Sequence, residues 1–134
     1  MSVSPAENIV RAVCTDKWDG ERLSPSLFIS DGVSESRPDA GVSVSRLALL
    51  SLEDHWDMFR RHVQKPPVRR LEMIAEINVG ELQNIGRAYA PPVELTVEPW
   101  PNPWPAHAQI PQRITRGLAN KVLPALKLHS PPPE

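Results

Sequence analysis

Cysteine is nearly absent: Cys14 is the single one in 134 residues. An intrachain disulfide is therefore excluded, and a reducing, cytoplasmic setting is the expected location. Charge of one sign is missing as well. Fifteen Lys and Arg stand against sixteen Asp and Glu, and no run of like charge exceeds the pairs Arg60-Arg61 and Arg69-Arg70. That excludes the basic stripe that nucleic-acid and membrane-surface binding require, so neither partner is indicated. No stretch approaches the roughly 20 apolar residues of a spanning helix. The opening residues carry neither a basic leader nor a long apolar run, so no secretory signal is expected. Glycine is scarce too. Gly80 and Gly86 bracket a predicted helix rather than leading from a strand into one, so there is no phosphate-cradling loop.

Metal and nucleophile motifs are missing in turn. His55 and His62 lie seven apart on one predicted helix, hence roughly 10 Å from each other, too far to share one metal ion. Neither a zinc site nor any other metal or cofactor is expected. Asp16 and Asp19 lack the further ligands of a calcium loop, and Ser24, Ser26, Ser43 and Ser45 lack the Gly-x-Ser-x-Gly elbow of a serine hydrolase.

What the chain has in excess is proline. Sixteen prolines are about twice the usual ~5% share. Most punctuate periodic segments, but between Pro99 and Pro105 one stands at every second position, in Pro99-Trp100-Pro101-Asn102-Pro103-Trp104-Pro105. Each fixes φ near −65° and removes a backbone donor, which leaves an extended, polyproline-like ribbon. Trp100, Asn102 and Trp104 project from a backbone with little entropy left to lose. They are the candidate protein-contact residues. The division expected is Trp104 packed inward and Trp100 at least partly exposed.

The remaining periodicity predicts an α+β fold. Strands are predicted over 9–14, 23–29, 42–47, 71–78, 93–98 and 106–110 from two-residue alternation or short apolar runs. Ser51, with Asp54 three residues on, starts a helix over about 51–64 whose stripe is Leu52, Trp56, Phe59 and Val63. Pro66-Pro67 ends it. A short helix over 79–85 is predicted to close on Gly86 in a left-handed conformation. Thr115 caps a C-terminal helix over about 115–123. A mostly antiparallel sheet covered by these helices follows. The expected organisation is a flexible leader over 1–7, one domain over 8–128 and a disordered tail over 129–134, with 30–41 a functional or mobile loop.

Two arginines share apolar strand faces, Arg11 with Ile9 and Val13, and Arg46 with Val42 and Val44. Either they sit at strand ends and reach water, or they require acidic or phosphate partners at the inner surface. His107, between Ala106 and Ala108 just after the ribbon, either points to solvent or serves as acid, base or anion donor. Arg11, Arg46 and His107 are thus the candidate anion pocket.

The succession Arg11-Ala-Val13, Asp19-Gly20 followed by Ser24-Pro-Ser26-Leu-Phe28, Val42-Ser-Val44-Ser-Arg46, Val79-Gly80-Glu-Leu82 and Asn102-Pro103-Trp-Pro-Ala106-His107-Ala108-Gln-Ile110 resembles a group of small bacterial proteins. They share the order Arg-x-Val, Asp-Gly-x-x-Ser, Ser-Val-x-Arg and Asn-Pro-x-His-Ala, and have no assigned activity. This chain carries Trp104-Pro105 where the group has a single residue. The resemblance implies a bacterial, cytoplasmic protein and adds weight to Arg46 and His107.

Three functions remain open. The first is a small binding or accessory protein acting through a protein partner. The second is an enzyme or nucleotide-binding domain with an Arg/His anion pocket, and the third an antitoxin or immunity-type protein. Convergence of Arg11, Arg46 and His107 in one pocket favours the second. A flat apolar patch at Trp100 and Trp104 favours the first or third.

Overall fold

The computed structural model describes residues 2–132. It is an α+β protein built on one six-stranded antiparallel sheet: β1 (Asn8–Cys14), β2 (Val42–Arg46), β3 (Leu71–Asn78), β4 (Glu98–Pro99), β5 (His107–Ile110) and β6 (Lys127–His129), in the order β4-β5-β2-β1-β3-β6. Three helices, α1 (Leu52–His62), α2 (Val79–Ala88) and α3 (Arg116–Val122), cover it. Alternation along the strands supplies two apolar faces. One turns Ile9, Val13, Val44, Ala75, Ile77 and Ile110 into a core shared with α2 and α3 residues such as Leu82 and Leu118. The other turns Val10 and Ile74 toward Trp56, Met58 and Phe59 of α1 and toward Trp104.

The helix starts follow from their caps. Ser51 Oγ accepts the Asp54 N–H at 3.1 Å, Asn78 Oδ1 that of Glu81 at 3.0 Å, and Thr115 Oγ1 that of Leu118 at 3.3 Å. Gly86 does not end α2, which runs on to Ala88. Its φ is not positive, and a Cβ there would lie 2.5 Å from the Val93 carbonyl oxygen, so it is glycine to let the 93–95 segment approach.

Two predicted strands are not strands. Within 23–29, Pro25 lacks an N–H and Ser24 Oγ accepts from the Ser26 N–H. A 3₁₀ turn over Pro25–Leu27 forms there and buries Leu27 and Phe28. Over 93–97, Leu95 and Val97 are buried as alternation predicts, but the backbone is satisfied without a ladder. Gln112 Oε1 accepts the Thr96 N–H, Gln83 Nε2 donates to the Leu95 carbonyl, and the Val3 N–H donates to the Val97 carbonyl. Only Glu98 and Pro99 pair with β5.

The leader, and the first residue of the expected tail, are drawn into the domain. Val3 is buried and Glu7 bonds Arg46, so residues 2–7 are docked; Met1 lies outside the described residues. His129, expected in the tail, pairs with Ile74 in β6, and its Nε2 meets Glu76 Oε1 at 2.6 Å. Pro133 and Glu134 lie outside the described residues. The 30–41 loop is tied along the chain preceding α3. Ser30 and Ile114 exchange both backbone hydrogen bonds, and the Val33 N–H donates to the Pro111 carbonyl. Gly32, at φ +84°, packs against Arg113.

Candidate functional site

β1 pairs with β3 along its whole length, from Asn8↔Asn78 to Cys14↔Leu71, but with β2 only at Ile9↔Arg46 and Val10↔Ser45. Beyond Val10 the two strands part, and the sheet is forked. The Leu47 N–H donates to the Asn8 carbonyl, so alternate residues of β1 and β2 turn their peptide groups toward each other. By that alternation Ala12 and Ser43 face each other across the gap. A cavity of about 350 Å³ opens there, with an apolar floor of Val10, Phe59, Val63 and Trp104.

Arg11 fills the crotch of the fork. Its Nε donates to the Leu27 carbonyl and its Nη1 to the Ser43 carbonyl, each at 2.6 Å. The guanidinium thus caps the β2 carbonyl that the parted ladder leaves free. Among the described residues no carboxylate pairs with it. Burial lowers its pKa to about 10, so it is still charged at neutral pH. Lys17 and Arg69 also line the cavity, and Arg69 is engaged by Asp16 at 3.4 Å.

The face of β2 opposite Val42 and Val44 carries two serine–histidine pairs. Ser43 Oγ lies 2.6 Å from His107 Nε2, and His107 Nδ1 lies 2.8 Å from the Trp100 carbonyl oxygen. A carbonyl only accepts, so Nδ1 carries the ring proton. Nε2 is then the acceptor and the Ser43 hydroxyl donates to it. Ser45 and His55 repeat the pattern, with Oγ–Nε2 at 2.6 Å and Nδ1 2.9 Å from the Ser51 carbonyl oxygen. Their surroundings differ. Ser45 and His55 are both 0% exposed, and Ser45 Oγ also accepts the Trp104 Nε1–H at 3.0 Å. Ser43 and His107 are partly exposed, and together they line a second cavity of about 560 Å³ with Trp100, Asn102 and Gln109. Ser43 borders both cavities. Burial lowers the pKa of both histidines, His55 and His107, against the opposing effect of their carbonyl bonds.

Of the candidate anion residues, Arg11 and His107 meet at Ser43, one at its carbonyl and the other at its hydroxyl. Arg46 does not join them. It shares the Val42 and Val44 face of β2, and its Nε and Nη2 hold both Glu7 carboxylate oxygens at 3.0 and 2.8 Å. Of the candidate contact residues, Trp104 is 8% exposed, its ring edge-on to Phe59 and to His107. Trp100 is partly exposed and Asn102 exposed, both on the wall of the His107 cavity. The two indoles therefore form no common flat patch. Ser43 is the residue that sequence motifs miss. Its signal is the alternation that puts Ser43 and Ser45 on the face opposite Val42 and Val44, which the Ser45↔His107 register makes the face of His107.

Among the described residues no group of three or more His, Cys, Asp or Glu is placed to hold a metal ion, and no helix is long and apolar enough to cross a membrane. Compared with protein-family models, curated proteins and solved structures, the chain matches none.

Proposed function

We propose that the protein binds a small amphipathic anion in the fork between β1 and β2, with Arg11 receiving its charge. The observation that carries this is Arg11 itself, a partly exposed, desolvated guanidinium on the cavity wall that no carboxylate contacts, since Asp16 on the same wall is engaged by Arg69. Withdrawing an ion from water costs several kcal/mol unless an opposite charge or hydrogen bonds compensate. The two carbonyls engage two of the five guanidinium N–H groups, so the remaining donors and the charge are available to a ligand. The apolar floor suits the rest of such a ligand, and the cavity lies within the ~300–1,000 Å³ range of small-molecule sites. The proline ribbon fits this reading as a rigid wall, because Trp100 and Asn102 line the neighbouring cavity.

Titration calorimetry with octanoate, phenyl phosphate, inorganic phosphate and 1-octanol tests it. Saturable binding is expected for the first two, and at least tenfold weaker binding for the last two. Arg11→Gln should abolish binding. Val63→Trp, which fills the apolar floor and leaves Arg11 intact, should do the same. Anion binding that survives Val63→Trp in the folded variant, or no binding of either amphipathic anion, overturns the proposal.

A further inference from the structure

The geometry points to Ser43 and His107 as a nucleophile and general base that hydrolyse carboxylic esters. Inferring an anionic substrate rests on the anion-binding reading of the fork; inferring the dyad does not. Three observations carry it. The His107 tautomer is fixed by the Trp100 carbonyl, so Nε2 holds a free lone pair toward a hydroxyl 2.6 Å away. That is the hydrogen-bond reach required of a base acting on a serine, with a backbone carbonyl as the orienting third group. Ser43 borders both cavities, and its hydroxyl is bonded to a histidine that lines the larger of the two.

The third observation is an internal comparison. Ser45 and His55 have the same geometry two residues along the same strand, yet they are sealed in the core, and an indole N–H occupies the Ser45 oxygen. Packing alone therefore accounts for the inner pair. It does not account for a second pair placed on a cavity wall, whose serine oxygen receives no hydrogen bond among the described residues.

In the reaction, Ser43 Oγ attacks the ester carbonyl carbon and its proton passes to His107 Nε2. The tetrahedral intermediate collapses, the bond to the alkoxy oxygen breaks, and the alcohol leaves with the proton from Nε2. Water, deprotonated by the same nitrogen, then cleaves the acyl-serine to a carboxylic acid and regenerates the hydroxyl. The Arg11 guanidinium, bonded to the Ser43 carbonyl in the fork, is the positive charge that would hold the anionic end of a substrate.

The test is mass spectrometry of the intact full-length protein after exposure to a fluorophosphonate, with fragment-ion mapping, together with release of nitrophenol from neutral 4-nitrophenyl acetate and anionic mono-4-nitrophenyl succinate. The expected result is one adduct on Ser43, none on Ser45. Ser43→Ala should lose it, and His107→Gln should slow labelling by roughly 10²–10⁴-fold. The labelling rate should rise with pH and level off below the ordinary histidine range, because burial lowers the His107 pKa. Succinate ester cleavage faster than acetate, with the difference lost in Arg11→Gln, supports both readings. Equal cleavage with Ser43 labelled keeps the dyad and removes the anion. No adduct, an adduct elsewhere, or labelling indifferent to His107→Gln overturns the dyad.

Discussion

Removing one hydroxyl from each serine–histidine pair should give unequal losses of stability. In Ser45→Ala, His55 Nε2 and Trp104 Nε1–H both lose their partner in a site with no exposure. Each unsatisfied buried group costs about 1–3 kcal/mol, so the expected loss is about 2–6 kcal/mol. That is a large part of the ~5–15 kcal/mol that holds a typical domain folded. In Ser43→Ala only His107 Nε2 loses a partner, and it borders a cavity where water can replace the hydroxyl. The expected loss there is about 0.5–1.5 kcal/mol, the net value of one hydrogen bond. Urea unfolding followed by tryptophan fluorescence measures both, and at roughly 3–5 °C per kcal/mol the melting temperatures should separate clearly. Equal losses would mean that the Ser43–His107 bond is as structural as the inner one, and the nucleophile reading would lose its basis.

Stability should fall on acidification in two windows. The folded pKa values of His55 and His107 are lowered by burial, so their contribution is present above the unfolded value of about 6.5 and is lost as pH falls through the folded values. Glu7 is lowered by its hydrogen bond to Arg46. Glu76 is raised by burial but lowered overall by bonds from Asn8 and His129, so their contribution is lost below about pH 4.3. Urea midpoints that do not change from pH 7.5 to 3.5 would contradict this. Gly86→Ala should destabilise despite the better helix propensity of alanine, worth ~1 kcal/mol, because the added Cβ meets the Val93 carbonyl at 2.5 Å; a stabilised variant in thermal unfolding would refute the close approach. In single-tryptophan variants, acrylamide should quench Trp100 well and Trp104 and Trp56 poorly. Equal quenching of Trp100 and Trp56 would make the ribbon a lid on the core.

Local chemistry was legible in the sequence, and long-range pairing was not. α1 could be read because its cap, its apolar stripe and its terminating prolines agree with one another. β1, β2 and β3 could be read because alternation reports faces directly. It reports faces and not partners, however. Val93 to Val97 alternates as a strand does, yet its backbone is satisfied by two glutamines and the leader. The fork is invisible for the same reason: nothing local in Arg11 or Ser43 says that the β1–β2 ladder stops at Val10↔Ser45. Arg11 and Arg46 look alike as arginines on apolar faces. The difference arises because Glu7, distant from Arg46 in sequence, is docked beside it, whereas Arg11 finds only carbonyls. The histidine of the site was a candidate from its position, but its serine partner emerges only once β2 and β5 are in register.

The central claim, that the fork receives an amphipathic anion on Arg11, is tested most directly by nitrogen–proton correlation spectra that include arginine Nε–H resonances, recorded while octanoate is titrated into the full-length protein. Saturable shifts of the Arg11 Nε–H and of the Ala12 and Ser43 amides at one common midpoint are the predicted result, with the Arg46 Nε–H, held by Glu7 away from the fork, left in place. Shifts that spare Arg11, or that spread over the surface without saturating, would contradict it.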